Sequence, residues 1–218
     1  MAIALIDLRI GQPEPFGPQG EPSAIAKQAV SGRVLVTRLG LAGDGQADTK
    51  HHGGPDKAIH LYPHEHYARW RADLPERAAR LAAGGFGENL STHGLTEAEA
   101  CLGDLYRLGS AVIQISQGRK PCWKLNTRFG VEDMARRVHE TGRTGWYFRV
   151  IEAGEAGPGD NLTLLERPYP DWTVARLFAV LQQQAAPAPD DLAFLARADL
   201  LAAGWREQAA KRLAALRL

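Results

Sequence analysis

The stretch LYRLGSAVIQISQGRKPCWKLN, residues 105–126, carries the clearest structural signal in this chain. Two short strand patterns, LYRL and AVIQIS, are joined by Gly109 and Ser110. Because glycine takes a positive φ without steric cost, a two-residue loop of this kind predicts a tight antiparallel hairpin. The sequence therefore predicts that β pairing is established here and that the residues after Ser116 leave the end of a strand.

Cys122 follows this hairpin and lies among cations, with Arg119, Lys120 and Lys124 within three residues. Pro121 suits the first position of a helix, so we expect Cys122 in the opening turn, at the positive end of the helix dipole. Such surroundings typically lower a cysteine pKa from about 8.5 to between roughly 3.5 and 7.5. The pattern predicts a thiolate that can attack carbon or bind a metal.

The second cysteine, Cys101, lies in the apolar stretch EAEACLGD without basic neighbours. A free cysteine is most often a small buried hydrophobic residue, and this context offers nothing that changes that interpretation. We therefore predict that Cys101 packs in the core and has no chemical role.

Composition excludes several protein classes. The 218 residues include 26 Lys and Arg against 25 Asp and Glu, so no overall field indicates stable binding to nucleic acid or to an anionic membrane. Two cysteines do not make a disulfide framework, and a reactive thiol favours a reducing compartment, which here means the cytoplasm. The N-terminal stretch has no signal-peptide features, and no apolar run approaches the roughly 18 residues of a membrane span.

Strand and helix patterns are unevenly distributed along the chain. Short extended segments with glycine-bearing turns dominate up to about residue 165, and no βαβ rhythm interrupts them, which favours a barrel or sandwich over a doubly wound sheet. Helices are predicted at 64–73, after Pro63, and at 132–140, before Gly142. The strand patterns cover residues 2–10, 23–30, 33–38, 57–62, 104–108, 111–116, 145–152 and 161–165.

From about residue 171, alanine, leucine, arginine and glutamine replace β-branched residues, and the breaker AAPAPDD divides a tail that fits three short helices. We therefore predict an α+β protein with a mostly β domain at 1–166 and a three-helix extension at 167–218. Three helices could also form a DNA-reading module, but the balanced charge argues against it. The cations available for such a role are Arg206, Lys211, Arg212 and Arg217.

The stretch KHHGGPDKAIHLYP, residues 50–63, is a second candidate site. Gly53 and Gly54 allow close approach of the backbone to a ligand, and Lys57 could hold a phosphate oxygen, although the spacing of a Walker A loop is absent. Five histidines raise the question of zinc, but they lack metal-binding spacings. They are His51, His52, His60, His64 and His66. A calcium loop from Asp44 fails because its twelfth position is a proline.

A third candidate is GGFGENLSTHGL, residues 84–95. Glu88 offers an acceptor and Asn89 an amide, which together can bind the polar edge of a heterocycle. The alternative interpretation is an ordinary turn in which Asn89 caps its own backbone.

Four ordered motifs give the chain a resemblance to a known family. HGGPDKA at 52–58, FGENLSTHGLTE at 86–97, GD at 103–104 and SQGRKPCWKLN at 116–126 resemble the signature stretches of the MOSC domain, named for the molybdenum cofactor sulfurase C-terminus. The resemblance is closest to the stand-alone bacterial YiiM-like subgroup. It covers nearly the whole chain, because the SAIAK stretch at 23–27 and a trailing three-helix extension belong to the same pattern.

The resemblance implies a MOSC-type β-barrel that holds a molybdenum cofactor of the molybdopterin type, with Cys122 as the protein ligand to molybdenum and the catalytic residue. Soft thiolate sulfur suits this metal, and the anionic dithiolene and phosphate of the pterin would be neutralised by nearby cations. The residues that the resemblance assigns to cofactor binding are His52, Lys57, Glu88, Asn89, Gln117, Arg119 and Lys124. His60, His64 and His66 are not carried over.

The resemblance further implies a reductase of N-hydroxylated compounds, for example N-hydroxylated purines, that removes oxygen with electrons from a partner flavoprotein. The sequence has no GxGxxG fingerprint and no iron–sulfur spacing, which is why an outside donor is expected. The three-helix tail offers a docking surface for that donor or for a second copy in a homodimer.

Two other functional classes stay open from the sequence. In one, the protein carries the cofactor, or a sulfur atom on Cys122 as a persulfide, without turnover. In the other, Cys122 is the nucleophile of a hydrolase with a histidine such as His52 as base.

Overall fold

The computed structural model describes residues 2–47, 53–183 and 186–216. Short strands dominate the first three quarters of this part of the chain. They are β1 (Ala2–Ile10), β2 (Glu14–Phe16), β3 (Glu21–Ser23), β4 (Gln28–Ala29), β5 (Val34–Thr37), β6 (Gly40–Leu41), β7 (Ile59–Pro63), β8 (Leu90–Thr92), β9 (Leu105–Leu108), β10 (Ala111–Gly118), β11 (Trp146–Glu152), β12 (Gly154–Ala156) and β13 (Asn161–Glu166).

Helices fill the connections and form the C-terminal part. They are α1 (Glu65–Asp73), α2 (Lys124–Phe129), α3 (Met134–Thr141), α4 (Val174–Phe178), α5 (Pro189–Arg197) and α6 (Ala203–Ala215). Two 3-10 turns occur at Pro55–Lys57 and Pro75–Arg80, and α4 continues as a π-helical segment, Ala179–Gln183. In the described part of the chain, no helix has both the length and the apolar character needed to cross a membrane.

Seven strands close into a barrel in the order β13-β9-β10-β11-β7-β8-β1. The first strand pairs back onto β13, with Ala2 opposite Thr163 and Ile3 opposite Leu162, which closes the sheet. All neighbours are antiparallel except β7 and β8, which run parallel. The hairpin of β9 and β10 forms as predicted, with Gly109 at φ 58°. The prediction of a barrel-containing α+β fold is thus confirmed.

The barrel strands differ in how much of their surface is covered. In β1 buried and exposed residues alternate, as expected for a strand with one face toward solvent, whereas nearly every residue of β10 is buried. The outer face of β10 is covered by the C-terminal helices, which contact it through α4 and through a hydrogen bond from Ala202 N–H to Ser116 O at 2.9 Å. Side chains in such positions contribute about 1.5–3 kcal/mol each through burial.

A second apolar cluster packs α1, α2 and α3 beside the barrel. Its centre is aromatic: Tyr62 stacks on Phe86 with ring centroids 4.1 Å apart, and Phe129 lies 4.8 Å from Phe86. Trp70 Nε1–H donates to Tyr62 Oη at 2.6 Å, which satisfies two polar groups inside this cluster. Phe86 is thereby held rigidly at the position from which residues 86–89 run toward β8.

The C-terminal helices form a third cluster, in which Trp172 stacks on Phe194 at 4.8 Å. The three predicted helices are present, the first of them as α4 with its π-helical continuation. This extension shares backbone hydrogen bonds with the barrel part, from Leu102 N–H to Trp172 O and from Val174 N–H to Ala100 O, each at 2.8 Å.

Two predicted strands have different bounds in the structure. The strand expected at 23–30 is replaced by β3 and β4, because the residues between them turn toward a cleft and do not pair continuously. The strand expected at 57–62 starts at Ile59, because Pro55–Lys57 forms a 3-10 turn. The predicted helix at 132–140 is α3, which ends at Gly142 in the left-handed conformation as expected.

Candidate functional site

A cleft of about 100 Å³ opens where the chain leaves the end of β10. Its walls come from neighbouring barrel strands and their connections, so residues distant in sequence meet there. The charged side chains on the described part of the wall are Lys27, Asp44, Lys57, Arg119 and Lys124, and Cys122 lies among them. The structure thus brings five of the predicted site residues together in one cleft: Lys57, Asn89, Arg119, Cys122 and Lys124.

Cys122 is half-buried and lies in a segment that is neither helix nor strand. The prediction that it occupies the opening turn of a helix, with Pro121 at the first position, is wrong. The helix α2 starts at Lys124, and Cys122 O accepts a hydrogen bond from Leu125 N–H at 3.1 Å in a turn that precedes it. Its surroundings therefore owe their positive charge to side chains more than to a helix dipole.

Arg119 is the most buried cation on the described wall of the cleft, with 6% of its surface exposed against 7% for Lys27. Its backbone N–H donates to Gly145 O at 3.1 Å, which fixes the chain at the end of β10. Its Nη2 donates to Phe86 O at 3.3 Å, whereas Nη1 is buried and has no hydrogen-bond partner among the described residues. Since buried polar groups are nearly always satisfied, this nitrogen indicates a place prepared for an acceptor.

The other cations surround the same space. Lys57 ends the 3-10 turn before β7, and Lys124 donates from Nζ to Pro22 O at 3.2 Å. Lys27 forms a buried ion pair with Asp44, and burial lowers the pKa of Lys27 more than the adjacent Asp44 carboxylate raises it. On the described walls, four cations thus face one carboxylate, which is already paired, so the cleft favours an anionic ligand.

Asn89 and Glu88 serve different parts of the structure. Asn89 lines the cleft, and its amide is used within the protein: Oδ1 accepts from His60 N–H at 3.0 Å and Nδ2 donates to Asp44 Oδ2 at 2.8 Å. Glu88 is fully buried behind the wall, where its carboxylate accepts hydrogen bonds from Gly84 N–H at 2.7 Å and from Tyr67 Oη–H. Both residues hold the 84–91 loop in place.

Two further predicted site residues lie outside the described cleft wall. Gln117 is 4% exposed on β10, and its Nε2 donates to Gly118 O at 3.4 Å. His52 lies outside the described residues, as does His51. Within the ranges that the structure describes, no three or more His, Cys, Asp and Glu side chains are grouped so that they could hold a metal ion.

His60 is a cleft residue that sequence reasoning did not assign. It lies on β7, fully desolvated, with its ring 5.0 Å from that of Tyr147, and its Nε2 has no hydrogen-bond partner among the described residues. Burial, assisted by the positive charges of Arg119 and Lys27, lowers the pKa of His60 well below its ordinary value of 6.5, so the imidazole is neutral. The sequence did contain a signal for His60, because it is a polar residue in the otherwise apolar strand IHLYP.

Comparison with known proteins identifies the family. The MOSC domain matches residues 48–163, which is more than half of the chain. The chain belongs to the MOSC domain family. It is 46% identical over 175 residues to Protein YiiM of Escherichia coli (strain K12), an alignment that covers 80% of this chain and 77% of that protein.

A solved structure of YiiM and one further relative extend the comparison. The crystal structure of YiiM from Escherichia coli superposes with a TM-score of 0.84 and 35% sequence identity, covering 99% of this chain and 94% of that one. A protein named Reductase from Gibberella moniliformis (strain M3125 / FGSC 7600) is 39% identical over 180 residues. That alignment covers 82% of this chain but 32% of the fungal protein, which is much longer. The family and a reductase-named relative are consistent with an oxidoreductase whose role is related to the molybdenum cofactor.

Proposed function

We propose that this protein is a molybdenum-cofactor-dependent reductase that removes oxygen from N-hydroxylated compounds, for example N-hydroxylated purines. The observation that carries the proposal is the position of Cys122 on the wall of a cleft that also holds the buried guanidinium of Arg119, whose Nη1 has no partner in the described part of the chain. A half-exposed sulfur beside surplus positive charge suits a soft metal bound by an anionic dithiolene and phosphate.

The residues present fit a molybdopterin-type group. Cys122 would supply the sulfur ligand, and Arg119 Nη1 would donate to an anionic oxygen of the cofactor. Lys57 and Lys124 add positive charge to the same wall. Asn89 holds this wall in place, because its Oδ1 accepts a hydrogen bond from the backbone of β7. Hydrogen bonds from residues behind a ligating group keep that group oriented. His52 remains a proposed binding residue outside the described part of the chain.

When bound, the molybdenum cofactor supplies two-electron redox chemistry at the metal. The reaction balances as R–NH–OH with two electrons and two protons giving R–NH2 and water, with the N–O bond broken. The protein's own contribution is to hold the anionic group in a cleft of surplus positive charge and to keep the substrate against it. His60, neutral and 4% exposed, lines this space without adding charge to it.

The electrons come, in this proposal, from a partner flavoprotein. The sequence has no dinucleotide-binding fingerprint and no iron–sulfur spacing of its own. The name of the fungal relative supports reductase chemistry, and the family supports the cofactor. A soluble, cytoplasmic site of action belongs to the same proposal.

The test is elemental analysis of protein purified from cells that synthesise the cofactor, followed by turnover of an N-hydroxylated purine with a flavoprotein reductase. We expect stoichiometric molybdenum in the natural sequence and in Cys101→Ser, and its loss in Cys122→Ser. Reduction of the purine should depend on that metal. Molybdenum without turnover would support a carrier of the cofactor instead, and full activity after metal removal would contradict the proposal.

A further inference from the structure

The segment that carries Cys122 is held from one side by the C-terminal helices. Residues 119–122 form neither helix nor strand, so their position depends on what packs against them. Gly118, the last residue of β10, lies so close to α6 that a Cβ there would be 3.1 Å from Cη2 of Trp205. Two residues earlier in β10, Ser116 O accepts from Ala202 N–H at 2.9 Å. The strand end therefore rests on the start of α6.

Lys120 extends this contact beyond the strand. Its Nζ donates to Gln208 Oε1 at 2.6 Å and lies 5.3 Å over the ring of Trp205, so two side chains of α6 hold one ammonium group. Gln208 is itself fixed, because its Nε2 donates to Leu181 O at 2.8 Å in the π-helical segment. The ammonium of Lys120 is thus tied to a rigid point rather than to a flexible surface side chain.

Lys120 is an exposed residue whose ammonium is nevertheless bound on the side of α6. Burial lowers the pKa of Lys120, and the positive charge of Lys57, a cleft residue, lowers it further. A free lysine would place its ammonium in water, away from a second cation. Here the Gln208 carbonyl and the Trp205 ring keep it at the protein surface between the cleft and α6.

We infer that Trp205 and Gln208 are positioning residues for the candidate site: through Lys120 they fix the segment that carries Arg119 and Cys122. The C-terminal helices are then part of the site's construction and not a separate appendage. The inference rests on the proposed function only in naming Cys122 as the reactive residue. The contacts that carry it do not involve the cofactor.

The experiment measures amide hydrogen exchange in the peptide covering residues 117–124 of the full-length, metal-free protein. In Gln208→Met, which removes the acceptor for Lys120, we expect exchange in this peptide to rise by about fivefold or more while exchange in β7 and β11 stays unchanged. Gln208→Glu keeps an acceptor for the ammonium but loses the N–H that Leu181 O accepts, so exchange should fall below that of Gln208→Met without fully reaching the natural rate. Glu207→Ala, an exposed neighbour on α6, is the matched control and should change nothing.

A double variant, Lys120→Met with Gln208→Met, should exchange no faster than either single variant, because both remove the same contact. The inference is overturned if Gln208→Met leaves the 117–124 peptide unchanged, if Gln208→Glu exchanges as fast as Gln208→Met, or if exchange rises equally throughout the barrel. In protein made with the cofactor, molybdenum content should fall in Gln208→Met and should be higher in Gln208→Glu than in Gln208→Met. If the natural protein holds no molybdenum, the proposed function fails while the exchange measurements still decide the inference.

Discussion

The two cysteines of this chain have opposite surroundings, although each has an arginine nearby. Cys101 is buried, its Sγ lies 3.4 Å from Pro170 O, and burial together with the charge of Asp104 raises its pKa. The neighbouring Arg167 is bound by Asp104 through two hydrogen bonds of 2.7 and 2.8 Å. Cys122 instead lies half-exposed in a cleft where Arg119 has an unpartnered nitrogen.

The difference shows that proximity to a cation does not by itself make a thiol functional. Around Cys101 the positive charge is neutralised by a buried carboxylate, so the region is closed and contributes to stability. Around Cys122 the cations on the described wall outnumber the carboxylates, and in the proposed function this surplus serves to bind the anionic cofactor. The prediction that Cys101 packs in the core is confirmed by its burial.

The largest contrast should appear in thiol alkylation. In metal-free protein, iodoacetamide should modify Cys122 at least about 1,000-fold faster than Cys101, because the buried thiol reacts only when the structure opens. Mass spectrometry of peptides after timed quenching measures both rates in one sample. Comparable alkylation rates of the two thiols under native conditions would contradict the contrast drawn here. As a control, the two rates should become equal in urea.

Cys122→Ser should lower purine reduction by at least about 100-fold, since a serine oxygen is a poor replacement for a soft sulfur ligand. Its free energy of unfolding should stay close to the natural value. The matched Cys101→Ser should behave in the reverse way: full activity per folded molecule, with a loss of about 1 kcal/mol in stability from the buried hydroxyl. Steady-state kinetics and urea unfolding of the pair separate the two roles.

Arg167 and Arg119 should differ as the two cysteines do: replacing the first should lower stability, and replacing the second should lower cofactor binding. Arg167→Met leaves the fully buried Asp104 without its ionic partner and should lower the free energy of unfolding by about 2–3 kcal/mol, somewhat less than for a completely buried pair because Arg167 is a third exposed. Arg119→Met should change stability by less than about 1 kcal/mol and instead lower molybdenum content. A large destabilisation by Arg119→Met would show that its guanidinium is structural.

The smallest effect concerns pH. Because the pKa of His60 is lowered in the folded protein, the unfolded chain binds more protons below its ordinary value of 6.5. The free energy of unfolding should therefore fall as the pH drops below about 6.5, by up to about 1.4 kcal/mol per pH unit for this group. His60→Gln should flatten that slope in urea unfolding between about pH 5 and 7. Cys101→Ser should keep it, and parallel slopes for the natural protein and His60→Gln would contradict the assignment.

Much of the fold could be predicted because its signals are local. The hairpin at Gly109 depends on two adjacent residues and a pattern of apolar side chains, and the end of α3 depends on Gly142. The start of α2 could not be predicted in the same way. Pro121 is compatible with several positions, and the turn that ends at Leu125 depends on how the segment packs against residues far away in sequence.

The candidate site was predictable in its motifs but not in its partners. Cys122, Arg119 and Lys124 stand close together in sequence, so their joint charge is visible there. Lys27 and His60 line the cleft because folding of the barrel brings distant parts of the chain together. No local sequence pattern predicts that proximity. Glu88 shows a different difficulty. Its motif can be recognised in the sequence, but the sequence does not show that its carboxylate binds Gly84 N–H inside the loop.

The pairing of the first and thirteenth strands has a consequence for synthesis on the ribosome. Ala2 cannot pair with Thr163 until nearly three quarters of the polypeptide has emerged from the exit tunnel. The N-terminal strand β1 therefore stays unpaired with β13 until that point. The helix that anchors Lys120 is translated later still. The segment that carries Cys122 therefore gains its contact with α6 only after the barrel strands have all been translated.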